Sequence, residues 1–141
     1  MDLRLSKTGD YAVRAAISLA RVYGNGYRKM REVSDDMALP LRYTPQILGM
    51  LARAGLAEAK AGREGGYRLS RAPREITLLQ VVEAAEGRLE TSRCTLRGGP
   101  CQWDNACPVH HAWVAAGRAL RESLAATSLA EIALQDTALR P

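Results

Sequence analysis

The feature that most restricts the fold is a succession of three short segments between residues 28 and 69. Arg28–Ala38 carries Met30, Val33 and Met37 at helical spacing, and Pro40 in Ala38-Leu39-Pro40-Leu41 disfavours continuation of that helix. A second helix follows, with Thr44 placed as its N-cap, Pro45 at its first position, and Ile47, Leu48, Leu51 and Ala54 as its inner stripe. Gly55 stops it. Leu56–Lys60 and Tyr67–Leu69 then flank Gly62-Arg63-Glu64-Gly65-Gly66, the pattern of a β-hairpin with a glycine-rich tip. Two short helices joined by a tight turn, with a hairpin directly behind the second, read as a winged helix-turn-helix.

The flanking segments are helical. Lys7–Tyr23 sets Tyr11, Ala12, Ala15, Ala16, Leu19, Ala20 and Tyr23 on one stripe and ends at Gly24-Asn25-Gly26. Thr77 and Gln80 have capping-box spacing, opening a helix over Leu78–Glu86 that Gly87 ends; Ser128 and Glu131 do the same for Leu129–Gln135. Pro108–Ala126 is the longest helical segment, with Val109, Trp113, Ala116, Leu120 and Leu124 at steps of three and four. Its middle, Val114–Gly117, lacks a charged opposite face, so it is expected to pack on more than one neighbour, the second being a copy of itself in a homodimer. Phe is absent, so the core must rest on Leu, Ala, Val and Ile, which suits helix–helix packing. The expected fold is mainly α with a small β-hairpin: a winged helix-turn-helix domain over 1–87, a cysteine-rich loop over 88–107, and a dimerisation helix plus C-terminal helix over 108–141.

A net charge of +5 is compatible with nucleic acid. No apolar run reaches the roughly 18–20 residues of a membrane span, and the first residues lack a signal-peptide core. The expectation is a cytoplasmic protein without a membrane partner. The second helix of the pair is the natural recognition element, and Arg42, Tyr43, Thr44 and Gln46 are the polar side chains at its leading end. Arg63 at the hairpin tip and Arg68 beside it suit contact with phosphate or the minor groove. The competing reading is a solvated polar face on an interaction module. An enzyme is not expected: the histidines are His110 and His111 alone, no G-x-S-x-G elbow occurs, and the glycine-rich tip joins strands and opens no helix.

Cys94, Cys101 and Cys107 form a C-x6-C-x5-C cluster in one Gly/Pro-containing stretch. An odd, local set of this kind reads as a metal site or redox sensor before a disulfide framework. Thiolates suit an iron–sulfur cluster, copper(I) or zinc; with His110 they make an acceptable Cys3His zinc set, and a metal-free thiol switch is the third reading.

Several of these stretches together resemble the Rrf family of winged helix-turn-helix iron–sulfur regulators, of the IscR and NsrR type. They are Ser6-Lys7-Thr8-Gly9-Asp10-Tyr11-Ala12-Val13-Arg14-Ala15, Gln46-Ile47-Leu48 with Leu51 and Ala54-Gly55-Leu56, and Gly62-Arg63-Glu64-Gly65-Gly66-Tyr67-Arg68-Leu69. Ile76-Thr77-Leu78, the cysteine stretch and Thr127-Ser128-Leu129-Ala130 extend the likeness over nearly the whole chain. The resemblance implies a homodimeric repressor on a pseudo-palindromic duplex, sensing redox state, nitric oxide or iron supply through a cluster on Cys94, Cys101 and Cys107. It offers two fourth ligands: Asp10, at the acidic position that a partner subunit donates to [4Fe–4S] in NsrR-type members, and His110, which matches the C-x2-H of IscR-type [2Fe–2S] members. Asp10 and [4Fe–4S] are placed ahead. Two departures stand out: the first cysteine gap is one residue longer than the common spacing, and Pro45 stands where relatives often carry a base-reaching side chain.

Overall fold

A computed structural model describes residues 2–89, 96 and 106–136. Six α-helices and one hairpin make up its regular structure: α1 (Lys7–Arg21), α2 (Met30–Met37), α3 (Thr44–Arg53), β1 (Ala57–Lys60), β2 (Gly66–Leu69), α4 (Leu78–Glu86), α5 (Pro108–Ala126) and α6 (Leu129–Gln135). Pro73–Glu75 forms a single 3-10 turn.

α1 is the centre of the packing, with α2, α3, α4, α6 and β2 all against it. Its stripe of Ala12, Ala15, Ala16 and Leu19 is buried, together with Ile17, and the alanines let neighbouring helices approach closely. Val33 and Met37 from α2, Ile47, Leu48 and Leu51 from α3, Leu69 from β2 and Val81 from α4 complete the core. Leu129 of α6 belongs to the same core and is 0% exposed; burying it contributes about 1.5–3 kcal/mol. Thus α6 packs with the N-terminal elements, not with a separate C-terminal unit. The connection is backbone as well as side chain: Leu129 N–H donates to the Ile76 carbonyl at 2.8 Å and Leu78 N–H to that of Thr127 at 2.9 Å. Arg21 closes the far end on Asp136.

Both expected capping boxes form, at Thr77/Gln80 and Ser128/Glu131. Several expected boundaries change, the end of α1 at Arg21 in place of Tyr23 among them. The first α2 turn does not include Arg28, because Arg28 exchanges backbone hydrogen bonds of 2.7 and 2.8 Å with Tyr67 and so extends the hairpin by one bridge. Thr44 is not the N-cap of α3: Tyr43 is already helical in φ and ψ, and Thr44 is the first helical residue.

α5 differs from the other long helices. None of its residues is buried, and Val109, Trp113 and Leu120 are among the exposed large apolar side chains. It is held to α4 by Arg121, whose guanidinium reaches Glu83 at 2.9 Å and the Leu89 carbonyl at 3.2 Å. Burial alone would raise the Glu83 pKa; the Leu89 N–H and Arg121, with Arg88 adding, outweigh it and hold the carboxyl below its ordinary value. A group depressed in this way stabilises the fold fully above its unfolded pKa and ceases to do so as pH falls through the folded one. Glu83→Gln is therefore expected to cost about 1 kcal/mol at neutral pH. The gap to wild type should narrow in acid, as read from urea midpoints at both pH values; a gap that widened in acid would contradict the assignment.

Candidate nucleic-acid interface and cysteine site

The leading end of α3 presents Arg42, Tyr43, Pro45 and Gln46 to solvent. Arg42 lies over the Tyr43 ring at 4.7 Å, and Tyr43 stacks on Tyr11 of α1 with centroids 6.3 Å apart. Arg42 is thereby held over a ring that α1 supports from below. Thr44 does not join them. It is 0% exposed, and its hydroxyl donates to the Pro40 carbonyl at 3.1 Å, so the expected base-facing role of this residue is corrected to closing the turn into α3.

The hairpin pairs Ala57 with Leu69, Glu58 with Arg68, Ala59 with Tyr67 and Lys60 with Gly66. Two of its glycines are dictated by close approach. A Cβ on Gly65 would overlap the Lys60 carbonyl, and Gly66 combines a φ of 144° with a backbone that meets the Arg28 carbonyl. Lys29, next to that bridge, donates through Nζ to the carbonyls of Gly62 at 3.1 Å and Arg63 at 2.6 Å. The tip is thus anchored to the start of the helix-turn-helix, with the Arg63 residue exposed.

Arg68 is placed differently. Its guanidinium donates to Glu58 across the hairpin at 3.0 Å and lies 4.5 Å over the Tyr27 ring. The Glu58 hydrogen bond raises its pKa above the usual guanidinium value. Its charge is already answered within the wing, whereas no salt bridge engages Arg63 among the described residues. Sequence reasoning missed Lys29 and the surface part of Tyr11. Lys29 has no local signal, since its partners lie on the hairpin, and Tyr11 sits on a stripe that reads as core.

Of the three cysteines, Cys94 and Cys101 lie outside the described residues. Cys107 is half-buried and caps the start of α5, where its carbonyl accepts from the His110 N–H at 3.2 Å. The His110 ring meets His111 edge-on at 5.4 Å. Asp10 is in the first turn of α1, half-exposed, with Oδ1 accepting from Arg14 Nε at 2.8 Å. Among the described residues no three His, Cys, Asp or Glu side chains gather as a metal site.

The segment holding the cysteines is nevertheless anchored at its exit from α4. Where it leaves α4, the Glu86 carboxylate accepts from Ser6 N–H at 2.8 Å and Ser6 Oγ at 2.6 Å. Ser6 in turn caps α1 through the Gly9 N–H. A Cβ on Gly9 would overlap the Glu86 carboxylate, so glycine is what permits this contact one residue before Asp10. Beside the same exit, Arg121 from the second half of α5 reaches Glu83 and the Leu89 carbonyl.

A family profile described as Rrf2, iron-dependent transcriptional regulator, matches residues 5–135. An HTH-type transcriptional regulator of Neisseria meningitidis serogroup A is 32% identical over 130 residues, covering 92% of this chain and 87% of its own. IscR of Aliivibrio salmonicida is 29% identical over 130 residues, covering 92% of this chain and 77% of its own. Among solved structures, CymR, titled the global cysteine regulator of B. subtilis, superposes with a TM-score of 0.80 at 26% identity, covering 96% of this chain and 99% of that one. An IscR from T. potens gives 0.74 at 26% identity, covering 94% and 87%.

Proposed function

Because the chain belongs to the Rrf2 family of transcriptional regulators, we propose that it is a homodimeric repressor whose DNA affinity is set by an iron–sulfur cluster on Cys94, Cys101 and Cys107. The family is one of regulators and not of enzymes. No helix among the described residues is long and apolar enough to cross a membrane.

The recognition edge consists of Arg42, Tyr43 and Gln46. Arg can pair with guanine and Gln with adenine in the major groove, while Arg63 at the wing tip meets phosphate or the minor groove. A two-fold dimer through α5 presents two such edges to a pseudo-palindromic duplex.

The observation that supports the sensing half is the anchorage of the cysteine segment where it leaves α4: Glu86 is gripped against the start of α1, and Arg121, from the second half of α5, holds Glu83 and the Leu89 carbonyl beside it. A change in that segment acts on the helices that set the angle between α5 and the DNA-binding face. Soft thiolate donors fit an iron–sulfur cluster. Bound there, it supplies a centre that responds to redox state, nitric oxide or iron supply. Asp10 is our preferred fourth ligand, with [4Fe–4S] ahead of [2Fe–2S]; it would share its carboxylate between the cluster and Arg14. His110 is the alternative, one helical turn from Cys107. That proximity also favours a second reading, a Cys3His zinc site.

Anaerobic purification separates the two readings. Visible absorbance with iron and sulfide supports the cluster; a colourless protein with stoichiometric zinc replaces it, since zinc is d10. A metal-free protein whose DNA binding changes on thiol oxidation overturns both.

A further inference from the structure

Between the first turns of α1 and the leading end of α3 lies a groove of about 360 Å3, lined chiefly by Lys7, Thr8, Tyr11, Arg42, Tyr43 and Gln46. We infer that this groove seats a phosphate of the DNA backbone, with Lys7 as its principal donor. The inference rests on the proposed approach of α3 to a duplex and adds a contact on α1.

The groove brings two cations together. Arg14, Arg21, Arg28, Arg68 and Arg121 each face a carboxylate. Lys7 and Arg42 do not: neither forms a salt bridge among the described residues, and both are exposed. Among the described residues no Asp or Glu lines the groove. Two unanswered cations therefore border one concavity whose other polar groups, the Thr8 and Tyr11 hydroxyls and the Gln46 amide, can all donate to an oxyanion.

Shape and position select the source of that anion. The stack of Arg42 on Tyr43 on Tyr11 forms one wall, so the groove is continuous with the edge assigned to base reading. When a helix end enters the major groove, the elements flanking it meet the sugar–phosphate backbone. Lys7 stands on the flanking helix. A compact ammonium on a flexible stem suits a phosphate, which needs charge more than a planar fork. On the opposite flank, the wing spends Arg68 on Glu58, so the α1 side carries a larger share of backbone contact than the wing sequence suggests.

The test uses the full-length protein and a duplex of about 30 base pairs, long enough for two half-sites, selected by wild type from a random pool. Affinity is measured between about 50 and 200 mM salt. Lys7→Gln should lose about tenfold in affinity, and its log–log salt slope should fall by about 0.9 for each chain bound. Lys7→Arg should keep both. Scanning one neutral methylphosphonate along each strand should find a position that weakens wild type but leaves Lys7→Gln unaffected. If folded Lys7→Gln keeps wild-type affinity and slope, or if every methylphosphonate penalises both proteins alike, the seat does not exist while DNA binding stands. If wild type enriches no duplex and shows no salt-dependent binding, the functional reading falls, and this inference with it.

Discussion

Leu120→Glu is expected to yield a monomer and to reduce affinity for a two-half-site duplex by at least about a hundredfold. α5 has 19 residues, and hence a length of roughly 28 Å. Val109, Trp113 and Leu120 stand on it 39%, 37% and 48% exposed. Leu120 and Leu124 also form one side of an apolar groove of about 490 Å3, closed by Leu3, Leu5, Val13, Leu78 and Val82. A helix with this much exposed apolar surface needs a cover. In the proposed dimer, a second α5 supplies it. A carboxylate at position 120 would then be buried without a partner, at a cost of several kcal/mol. Because Leu120 is not part of the core, each chain should still fold. Loss of the dimer makes the two half-site contacts independent, and the advantage lost is typically 10²–10⁴-fold. Sedimentation velocity and anisotropy on the same samples check both parts. A dimeric variant, or a wild type that sediments as a monomer at micromolar concentration, would move the interface off α5.

A second large effect is expected at the cysteines. Cys94→Ala, Cys101→Ala and Cys107→Ala, each purified anaerobically, should lose the visible absorption of wild type and bind DNA as the apo protein does. Coupling between the site and DNA can be no larger than the difference in stability between the two dimer shapes; about 1–3 kcal/mol corresponds to a 5- to 150-fold change in affinity. Asp10→Ala and His110→Ala then divide the alternatives, because only loss of the true fourth ligand alters the spectrum. Retention of a normal spectrum by all three cysteine variants, or equal binding of every duplex by holo and apo protein, would remove the sensing mechanism and leave the winged helix untouched.

What could be read from the chain depended on how far apart the interacting groups are. The capping boxes at Thr77/Gln80 and Ser128/Glu131 were legible because both partners lie within one turn. The buried stripes of α1 and α3 were legible for the same reason, as periodicity is local, except at their ends, where Tyr23 and Ala54 lie past the last helical residue and are exposed. Arg28 reads as the start of a helix until Tyr67 offers it a strand partner. Arg68 reads as a free cation until the register places Glu58 opposite it. Thr44 was assigned to the surface because a Thr-Pro pair is a common helix opening; Tyr43 adopts helical angles first and turns the hydroxyl inward to Pro40. In the candidate site, spacing pointed to the cysteines and to the tip arginine, but not to Lys29, whose two acceptors are backbone carbonyls on another element.

The return of α6 beneath α1 bears on how the protein comes into being. Among the described residues the last core side chain in the sequence is Leu129, which follows the cysteine segment and α5. During synthesis the core lacks Leu129 when α4 has emerged, and it is complete only once the cysteine segment and α5 have also left the ribosome. The complete core and the proposed sensor segment are therefore finished together during synthesis. For the same reason, shortened fragments that stop after the wing are poor stand-ins for the intact regulator.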